Sequence, residues 1–279
     1  MRIKKRLDIL MVERGLAPGR DRAKALVMEG VVYVGGQKSQ KPGEEYGSEA
    51  EIEVRGKRMP YVSRGGLKLE KAVKVFGITA RDMVCADIGA STGGFTDCLL
   101  KHGAKRVYAV DVGYGQLAWE LRADERVVAL ERTNARYLTG KEIPEPLDMI
   151  SIDVSFISLT LLIPVLSGLL GEDGRMLCLI KPQFEAGREN VGKKGVVRDG
   201  AVHEQVIGKV ADFAVSNGLA TVGLDYSPVK GPNGNIEYLL YLEKRRECIP
   251  LGRGAIEAVV KSAAERLEGK YESTDLAEF

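Results

Sequence analysis

The sequence has few of the residues that metal and redox sites need. Only two histidines occur among 279 residues, and the four cysteines form no Cys-x-x-Cys pair. A zinc ribbon, a redox dithiol and a histidine-rich metal site therefore have no support in this chain. A Ser-His-Asp triad is disfavoured for the same reason, and we expect no bound metal.

The chain also lacks a clear membrane segment and an excess of one charge. Its most apolar stretch, residues 154–170, is interrupted by Pro164 and by small polar residues, which predicts a strand end, a loop and a helix. The charged N-terminal residues do not resemble a secretory signal, so we expect a cytoplasmic protein with no stable membrane association. The 41 Lys or Arg against 39 Asp or Glu argue against a strongly basic nucleic-acid coat.

The nearly neutral net charge of the whole chain conceals a basic N-terminal part, which is called the front here. Residues 1–60 hold 13 Lys or Arg against nine Asp or Glu, whereas residues 61–279 hold 28 against 30. Apolar residues at helical spacing predict two short helices in the front, followed by strands on either side of a Gly35-Gly36 turn. We therefore predict a small α+β unit over residues 1–60. Its basic cluster is either a phosphate-binding surface or an ordinary solvated helix face, and comprises Arg6, Arg20, Arg22 and Lys24.

From residue 80 the pattern changes to strands that alternate with helices. The apolar strands that start near Val84, Arg106, Met149 and Met176 are continuous runs, which is typical of a parallel sheet covered on both faces. The last two strands, residues 219–226 and 236–243, are joined by a loop too short for a helical crossover and should be antiparallel.

This order of elements predicts an α/β, Rossmann-like fold of the class I methyltransferase type. We expect a mostly parallel seven-stranded sheet that ends in an antiparallel strand pair, at residues 80–270. A linker and a first helix should occupy residues 61–79, and a flexible tail residues 271–279.

A glycine-rich turn follows the first strand of this sheet. Backbone N–H groups at such a turn hold polar ligand atoms, and its glycines let a ligand approach closely. Ser91 stands where a dinucleotide site has the glycine that admits a pyrophosphate, and no lysine follows the glycines. NAD and a Walker loop are therefore disfavoured. Asp111 ends the next strand, where an acidic residue can bind both hydroxyls of a ribose.

S-adenosylmethionine fits both observations, because it has a ribose and an adenine but no phosphate. A plain strand–helix turn with a surface aspartate is the alternative, and Asn134 is explained nearly as well as a turn former. The predicted cofactor-binding residues are Asp87, Gly89, Ala90, Ser91, Thr92, Gly93, Gly94, Phe95, Asp111, Val112 and Asn134.

Two charged residues end neighbouring strands of the predicted sheet. Asp153 follows the fourth strand and Lys181 the fifth, and ligands of such sheets bind outside the carboxyl ends of the strands. A buried carboxylate and ammonium are costly unless they are paired. The pair is therefore a candidate for chemistry, with a purely structural ion pair as the alternative.

The two halves of the chain resemble known domains. In the front, Arg6-Leu7-Asp8, Gly15, Arg22 and residues 32–36 match the small RNA-binding domain named after ribosomal small-subunit protein four. Residues 61–69, 87–95, 153–158 and 181–185 are similar to rRNA methyltransferases of the FtsJ type. Both halves together, over residues 3–268, resemble the TlyA family of rRNA 2′-O-methyltransferases, which is also labelled haemolysin A.

The resemblance implies methyl transfer from S-adenosylmethionine to a ribose 2′-hydroxyl, with cytidine of 16S or 23S rRNA as the expected target. It also implies a catalytic tetrad of Lys68, Asp153, Lys181 and Glu237. Lys181 would accept the proton or stabilise the developing alkoxide, oriented by Asp153 and Glu237. A short interdomain linker near residues 58–61 is interrupted here by Pro60.

The expected partner is ribosomal RNA or a ribosomal subunit, bound by a monomer. Arg64 and a basic loop at residues 188–198, with Lys193 and Lys194, should approach the RNA near the site, although a mobile basic segment explains the loop equally well. Three alternatives stay open: a membrane-active haemolysin, a methyltransferase that acts on something other than rRNA, and an RNA-binding module without activity.

Overall fold

A computed structural model of the chain describes residues 4–28, 30–39, 41–55, 59–245 and 250–268. The chain divides between residues 58 and 59 into two compact units, here named the front unit and the sheet unit. Three expectations fall outside the described residues: the end of the second helix at Glu29, the start of the linker at Arg58, and the tail at residues 271–279.

The front unit is a small α+β domain. Its strands and helices are β1 (Lys4–Arg6), α1 (Leu7–Glu13), α2 (Arg20–Met28), β2 (Val32–Val34), β3 (Gln37–Lys38), β4 (Glu45–Gly47) and β5 (Ile52–Val54). β2 pairs antiparallel with both β3 and β5, and β1 pairs antiparallel with β4. Gly35 and Gly36 both have positive φ, which is the conformation that a two-residue hairpin turn requires.

The core of the front unit explains its helical pattern. Leu7, Leu10 and Met11 recur on one face of α1 and are fully or almost fully buried with Val27 of α2 and Val32 of β2. This apolar face stabilises a helix of only seven residues, which would be marginal in isolation. The two predicted helices and the hairpin are confirmed.

The sheet unit alternates strands with helices. Its elements are α3 (Gly65–Phe76), β6 (Val84–Ile88), α4 (Gly94–Lys101), β7 (Arg106–Val110), α5 (Trp119–Arg122), β8 (Val127–Leu130), β9 (Leu147–Ile152), α6 (Ile163–Ser167), β10 (Leu170–Ile180), α7 (Pro182–Glu185), α8 (Gly200–Ser216), β11 (Leu219–Tyr226), β12 (Tyr238–Lys244) and α9 (Arg253–Glu268).

The seven strands form one sheet in the order β11-β12-β10-β9-β6-β7-β8. The strands from β10 to β8 are parallel, and β12 pairs antiparallel with both β10 and β11. The predicted fold class is confirmed, including the antiparallel pair at the end of the chain.

Helices cover both faces of the sheet. Alternate residues of one strand enter different apolar clusters, as Cys85 and Ala86 of β6 do. The Cys85 cluster contains residues of α3 and α4, and the Ala86 cluster contains residues of α8 and α9. Among the described residues, no helix has both the length and the apolarity needed to cross a bilayer.

The register of the parallel strands creates the edge where polar residues collect. Ile88 of β6 lies beside Val110 of β7 and Ile152 of β9. β7 and β9 each end two residues earlier than the sequence pattern predicts, so Asp111 and Asp153 lie just beyond the sheet. The carboxylates of Asp111 and Asp153 therefore bind groups beyond the ends of the strands.

Candidate active site

A chain of four charged side chains links α3 to the ends of three strands. Lys68 of α3 places its Nζ 2.7 Å from Oε2 of Glu237 and 3.2 Å from Oδ2 of Asp153. The other carboxylate oxygen of Asp153, Oδ1, lies 2.6 Å from Nζ of Lys181. The structure therefore brings together all four residues of the expected tetrad, in the order Glu237–Lys68–Asp153–Lys181.

Lys68 contacts two carboxylates of the tetrad, whereas Lys181 contacts one. Glu237 binds Lys68, so the expectation that Glu237 orients Lys181 directly is revised. Burial lowers the pKa of Lys68, but Asp153 and Glu237 outweigh it and hold that pKa above its usual value. Burial raises the pKa of Asp153, and the two ammonium groups outweigh it and hold that pKa below its usual value. Lys68 and Asp153 therefore both stay charged.

Lys181 has a second partner that the sequence did not reveal. Its Nζ lies 3.1 Å from Oγ of Ser155, in the loop that follows β9. The same loop contacts the segment after Lys181 twice more. The rings of Phe156 and Phe184 lie 4.9 Å apart, and the Ser158 hydroxyl donates to Glu185 at 2.6 Å.

Phe156 is a further candidate that sequence reasoning missed. It is 90% exposed and has a φ of 64°, a backbone conformation that bulky residues rarely adopt. Such strain collects at functional sites. The only signal in the sequence was its place within the Asp153–Ser158 motif, which does not distinguish an exposed phenylalanine from a core one.

The glycine-rich turn holds one aspartate with an unused oxygen. Asp87 is buried, and its Oδ2 accepts hydrogen bonds from the backbone N–H and the hydroxyl of Thr96, at 2.9 and 2.7 Å. Its Oδ1 is buried and has no hydrogen-bond partner. Burial raises the pKa of Asp87 to about 7, against the opposing hydrogen bonds from Thr96. A ligand ammonium would satisfy this carboxylate, as the α-ammonium of S-adenosylmethionine can.

Asp111 is fixed at the end of β7. Its Oδ2 accepts from the Ser91 N–H at 2.8 Å, and its Oδ1 accepts from the Gly113 N–H at 2.7 Å. Each carboxylate oxygen keeps a second lone pair for a hydroxyl donor. The neighbouring Val112 is 70% exposed, which provides an apolar contact beside that position. The residues present therefore fit a ribose and an attached base.

Comparisons with known proteins agree with this geometry. The sequence profile described as FtsJ-like methyltransferase matches residues 61–244, and that of the S4 domain matches residues 5–52. The first of these covers more than half of the chain. The chain belongs to the FtsJ-like methyltransferase family.

Full-length relatives share both halves. A candidate rRNA methyltransferase of Bacillus subtilis, YqxC, is 50% identical over 271 residues, which cover 96% of each chain. The 16S/23S rRNA (cytidine-2′-O)-methyltransferase TlyA of Mycobacterium tuberculosis is 42% identical over 93% of this chain and 97% of its own. A solved structure from Streptococcus thermophilus, described as a candidate hemolysin, has a TM-score of 0.78 at 46% identity and covers 96% of this chain and 98% of its own.

These findings confirm the resemblance to the TlyA family and the S-adenosylmethionine-dependent methyltransferase class. They also confirm that the front unit is an S4 domain.

The glycines of this methyltransferase are required by its own packing. A Cβ on Gly89 would lie 2.5 Å from the carbonyl oxygen of Asp153, and Gly89 has a φ of 85°. A Cβ on Gly93 would meet the Leu121 side chain, and one on Gly94 would meet Ser63. Close contact with neighbouring protein is therefore one reason for glycine at these three positions. The role of Gly89, Gly93 and Gly94 in cofactor binding stays a prediction.

We expect Gly89→Ala to reduce methyl transfer through Asp153. The new methyl group must displace the backbone of Asp153, and the positive φ adds strain, together about 3 kcal/mol of unfolding free energy. Gly115→Ala is the matched control, since Gly115 also has positive φ but no atom lies within 4 Å of its added Cβ. Thermal melts and single-turnover methylation should show a larger loss for Gly89→Ala, and equal losses would contradict the contact.

Replacing Asp87 with Asn should stabilise the cofactor-free methyltransferase at high pH. The folded-state pKa of Asp87, about 7, lies above its usual value of 3.8. The stability linked to its proton is therefore present below pH 4 and is lost as the pH rises through 7. Asn does not titrate, so the unfolding free energy of the variant should exceed that of the wild type by an amount that grows from pH 5 to pH 8, to about 2 kcal/mol. Thermal melts across this pH range measure the difference.

The same variant should bind S-adenosylmethionine more weakly, because the ammonium loses its carboxylate. Isothermal titration at pH 8 should show a dissociation constant at least tenfold higher. A melting difference that does not change with pH, or unchanged cofactor affinity, would contradict the role given to Asp87.

Asn134 is placed as a turn former. Its side-chain oxygen accepts from the Arg136 N–H at 3.0 Å and caps the short 3₁₀ turn Ala135–Tyr137. This geometry accounts for Asn134 without a cofactor contact. Its predicted role at the adenine stays a prediction.

The basic cluster of the front unit is partly neutralised. Arg6 and Arg20 both bind the fully buried Asp8, with closest distances of 2.9 and 3.2 Å. The hydrogen bond from Arg6 leads the causes that lower the pKa of Asp8 to about 2. Lys24 lies 3.0 Å from Asp21, and Arg22 is half-buried on α2. The two arginines are thereby held in fixed positions on one small domain.

The predicted RNA contacts of the sheet unit are exposed. Arg64 lies at the start of α3, four residues before Lys68, and Lys193 and Lys194 lie in the loop before α8. Asn235 ties this loop to the segment that carries Glu237, because its amide contacts the backbone of both Gly195 and Val197. The loop is therefore anchored at its base, while its lysines face solvent.

A group of Glu70, Cys98 and His102 on α3 and α4 contains potential metal-ligand atoms. Burial raises the pKa of the Cys98 thiol to about 12, whereas metals bind the thiolate. His102 Nδ1 is already 2.9 Å from the backbone oxygen of Cys98. In the structure, His102 also contacts Cys98 and Glu70 through its side chain.

Proposed function

We propose that this methyltransferase transfers the methyl group of S-adenosylmethionine to the ribose 2′-hydroxyl of a cytidine in 16S or 23S rRNA. The observation that carries the proposal is the buried chain Glu237–Lys68–Asp153–Lys181. It lies at the carboxyl ends of strands next to the glycine-rich turn. The TlyA relative of Mycobacterium tuberculosis is named for this reaction.

Lys181 is the proton acceptor in this proposal, because the two lysines have different partners. Lys68 lies between two carboxylates and has a raised pKa, so it stays protonated. Lys181 pairs with one carboxylate oxygen and one neutral hydroxyl. Lys181 is therefore the lysine that we assign as the acceptor of the substrate proton.

The chemistry requires alignment and removal of one proton. When bound, S-adenosylmethionine would supply an electrophilic methyl group, and its sulfur would keep the electron pair of the C–S bond. The ribose oxygen forms the new bond to carbon, and its proton passes to Nζ of Lys181. Asp153 holds Lys181, Lys68 holds Asp153, and Glu237 holds Lys68, so the acceptor is oriented before the substrate binds.

Asp87 and Asp111 hold the cofactor in this proposal. The unpartnered Oδ1 of Asp87 suits the α-ammonium, and the fixed carboxylate of Asp111 suits the ribose hydroxyls. Ala90 is buried and Phe95 packs in the core, so both act by shaping the turn. Ser91 and Thr92 are exposed and lie at the surface that the cofactor would cover.

Ribosomal RNA is held by charge and by stacking. Arg6, Arg20, Arg22 and Lys24 of the S4 domain would contact phosphates, as would Arg64, Lys193 and Lys194. These contacts would make affinity depend on salt. Phe156 lies in the loop after β9, three residues beyond Asp153, and its ring is exposed. An unstacked base can therefore lie against it. The protein would act as a monomer on ribosomal subunits in the cytoplasm.

The test uses purified protein, labelled S-adenosylmethionine, and small and large ribosomal subunits from cells that lack the modification. We expect one methyl group per modified site, resistant to alkaline cleavage at a cytidine 2′-oxygen. Free cytidine serves as the small-molecule control. Transfer to free cytidine alone, or to a base atom, would overturn the proposal, as would dye release from lipid vesicles without any transfer.

A further inference from the structure

We propose that Ser155 is a positioning residue that aims the proton-accepting lone pair of Lys181. The inference rests on the proposed function, because it concerns the same lysine. Ser155 lies in the loop after β9, two residues beyond Asp153, and its Oγ is 3.1 Å from Nζ of Lys181.

The geometry of an amine explains why a second acceptor matters. A neutral lysine amine carries two N–H bonds and one lone pair, distributed around the Cε–Nζ bond. Asp153 Oδ1, at 2.6 Å, takes one N–H and leaves two orientations for the lone pair. Ser155 Oγ takes the second N–H, so the lone pair occupies the one remaining direction. The lysine is then oriented as a base before the ribose arrives.

Ser155 lies at the surface, beside a lysine that is largely buried. Lys181 has only 9% of its side chain exposed, whereas Ser155 is exposed. Ser155 therefore lies on the open side of the lysine, next to the exposed Phe156. The hydroxyl also accepts from Lys181 without using its own hydrogen, which leaves that hydrogen available to a substrate oxygen.

The loop is held in place from the other side. Ser158 donates to Glu185, and Phe156 packs against Phe184, so the loop and the segment after Lys181 contact each other at successive positions. These contacts position the Ser155 hydroxyl independently of its bond to Lys181. Removing the hydroxyl alone should therefore leave the loop in place.

The neutrality of Ser155 is as important as its position. Lys68 is surrounded by two carboxylates and has a raised pKa. A carboxylate at position 155 would place Lys181 between two carboxylates, as Lys68 is. Among the described residues, ion pairs connect Lys181 to Asp153 after β9, then to Lys68 on α3, and then to Glu237 before β12. Asp87, at the end of β6, also interacts electrostatically with Asp153. A serine supplies the hydrogen-bond acceptor without adding charge.

The experiment compares Ser155→Ala, Ser155→Thr and Ser155→Asp in steady-state methylation of ribosomal subunits across pH. Ser155→Ala should lower kcat about tenfold with unchanged KM values, and Ser155→Thr should restore most of it. Ser155→Asp should move the acid limb of the kcat profile to higher pH. Ser158→Ala, in the same loop, should change the melting temperature without moving that limb.

Lys181→Met is measured in parallel, and cofactor titration and thermal melts confirm that each variant is folded. If Lys181→Met stays active, the proposed function fails at its proton acceptor. If Lys181→Met is inactive but Ser155→Ala and Ser155→Asp keep the wild-type kcat and pH profile, only the role of Ser155 is overturned. A loss in Ser155→Ala that Ser155→Thr does not reverse also overturns it.

Discussion

Replacing Lys181 with methionine is expected to lower kcat for methyl transfer about 10³-fold, the usual contribution of a positioned general base. Methionine keeps an unbranched side chain of similar length but cannot take a proton. Lys181→Arg should be similarly inactive, because a guanidinium keeps the charge and stays protonated at every working pH. Cofactor affinity should change little in both variants, since Asp87 and Asp111 are untouched. Single-turnover kinetics and isothermal titration separate the two effects.

Lys74→Met is the matched control for this experiment. Lys74 lies on α3 and is half-exposed, and its ion pair is with Glu70. Its replacement should leave kcat within about twofold of the wild type, because exposed ion pairs contribute little. If Lys181→Met kept more than a tenth of the wild-type kcat, another group would have to accept the proton.

Replacing Asp153 with alanine should reduce both stability and activity. The variant leaves two lysines facing each other without the carboxylate that both of them bind. Breaking a buried ion pair in this way costs about 3–5 kcal/mol of unfolding free energy. Methyl transfer should become undetectable, because the acceptor loses its orientation. Chemical denaturation and methylation assays measure the two losses.

The stability that Asp153→Ala loses depends on pH. The folded-state pKa of Asp153 lies below its usual value, so its contribution to stability is present above about pH 4 and is lost as the pH falls. The gap between wild type and variant should therefore be constant near neutral pH and close in acid.

Asp225→Ala is the control, since Asp225 has the same side-chain exposure as Asp153 and pairs with the buried Lys71. It should reduce stability but retain kcat. A variant Asp153→Ala that is as stable and as active as Asp225→Ala would contradict the tetrad.

The strand ends of the site were predictable because parallel strands have one polarity. The glycine-rich turn, Asp111, Asp153 and Lys181 each follow an apolar run, and such runs bring their carboxyl ends to one edge. Lys68 and Glu237 were not accessible in this way. Lys68 lies on a helix before the sheet, and Glu237 precedes an antiparallel strand. Both were therefore identified through the family resemblance alone.

The remaining features depend on contacts that no local pattern encodes. The pairing of Glu237 with Lys68 rather than Lys181 follows from the distance between α3 and the start of β12. The need for glycine at position 89 comes from the Asp153 carbonyl, 64 residues away in sequence. Phe156 and Ser155 lie in a loop whose shape is set by its packing on residues 181–185. Sequence periodicity predicts which faces of helices and strands are buried. It does not predict contacts that involve loops, such as those of Glu237, Ser155 and Phe156.

The ion pair between Lys68 and Glu237 joins residues 169 positions apart in the chain. Contacts of this sequence separation form only after both partners have been synthesised, and they slow folding. A ribosome that has not yet released β12 holds a chain whose Lys68 lacks one of its carboxylates. Lys68 therefore gains the second of its two carboxylates only after the segment before β12 has been synthesised and has packed against α3.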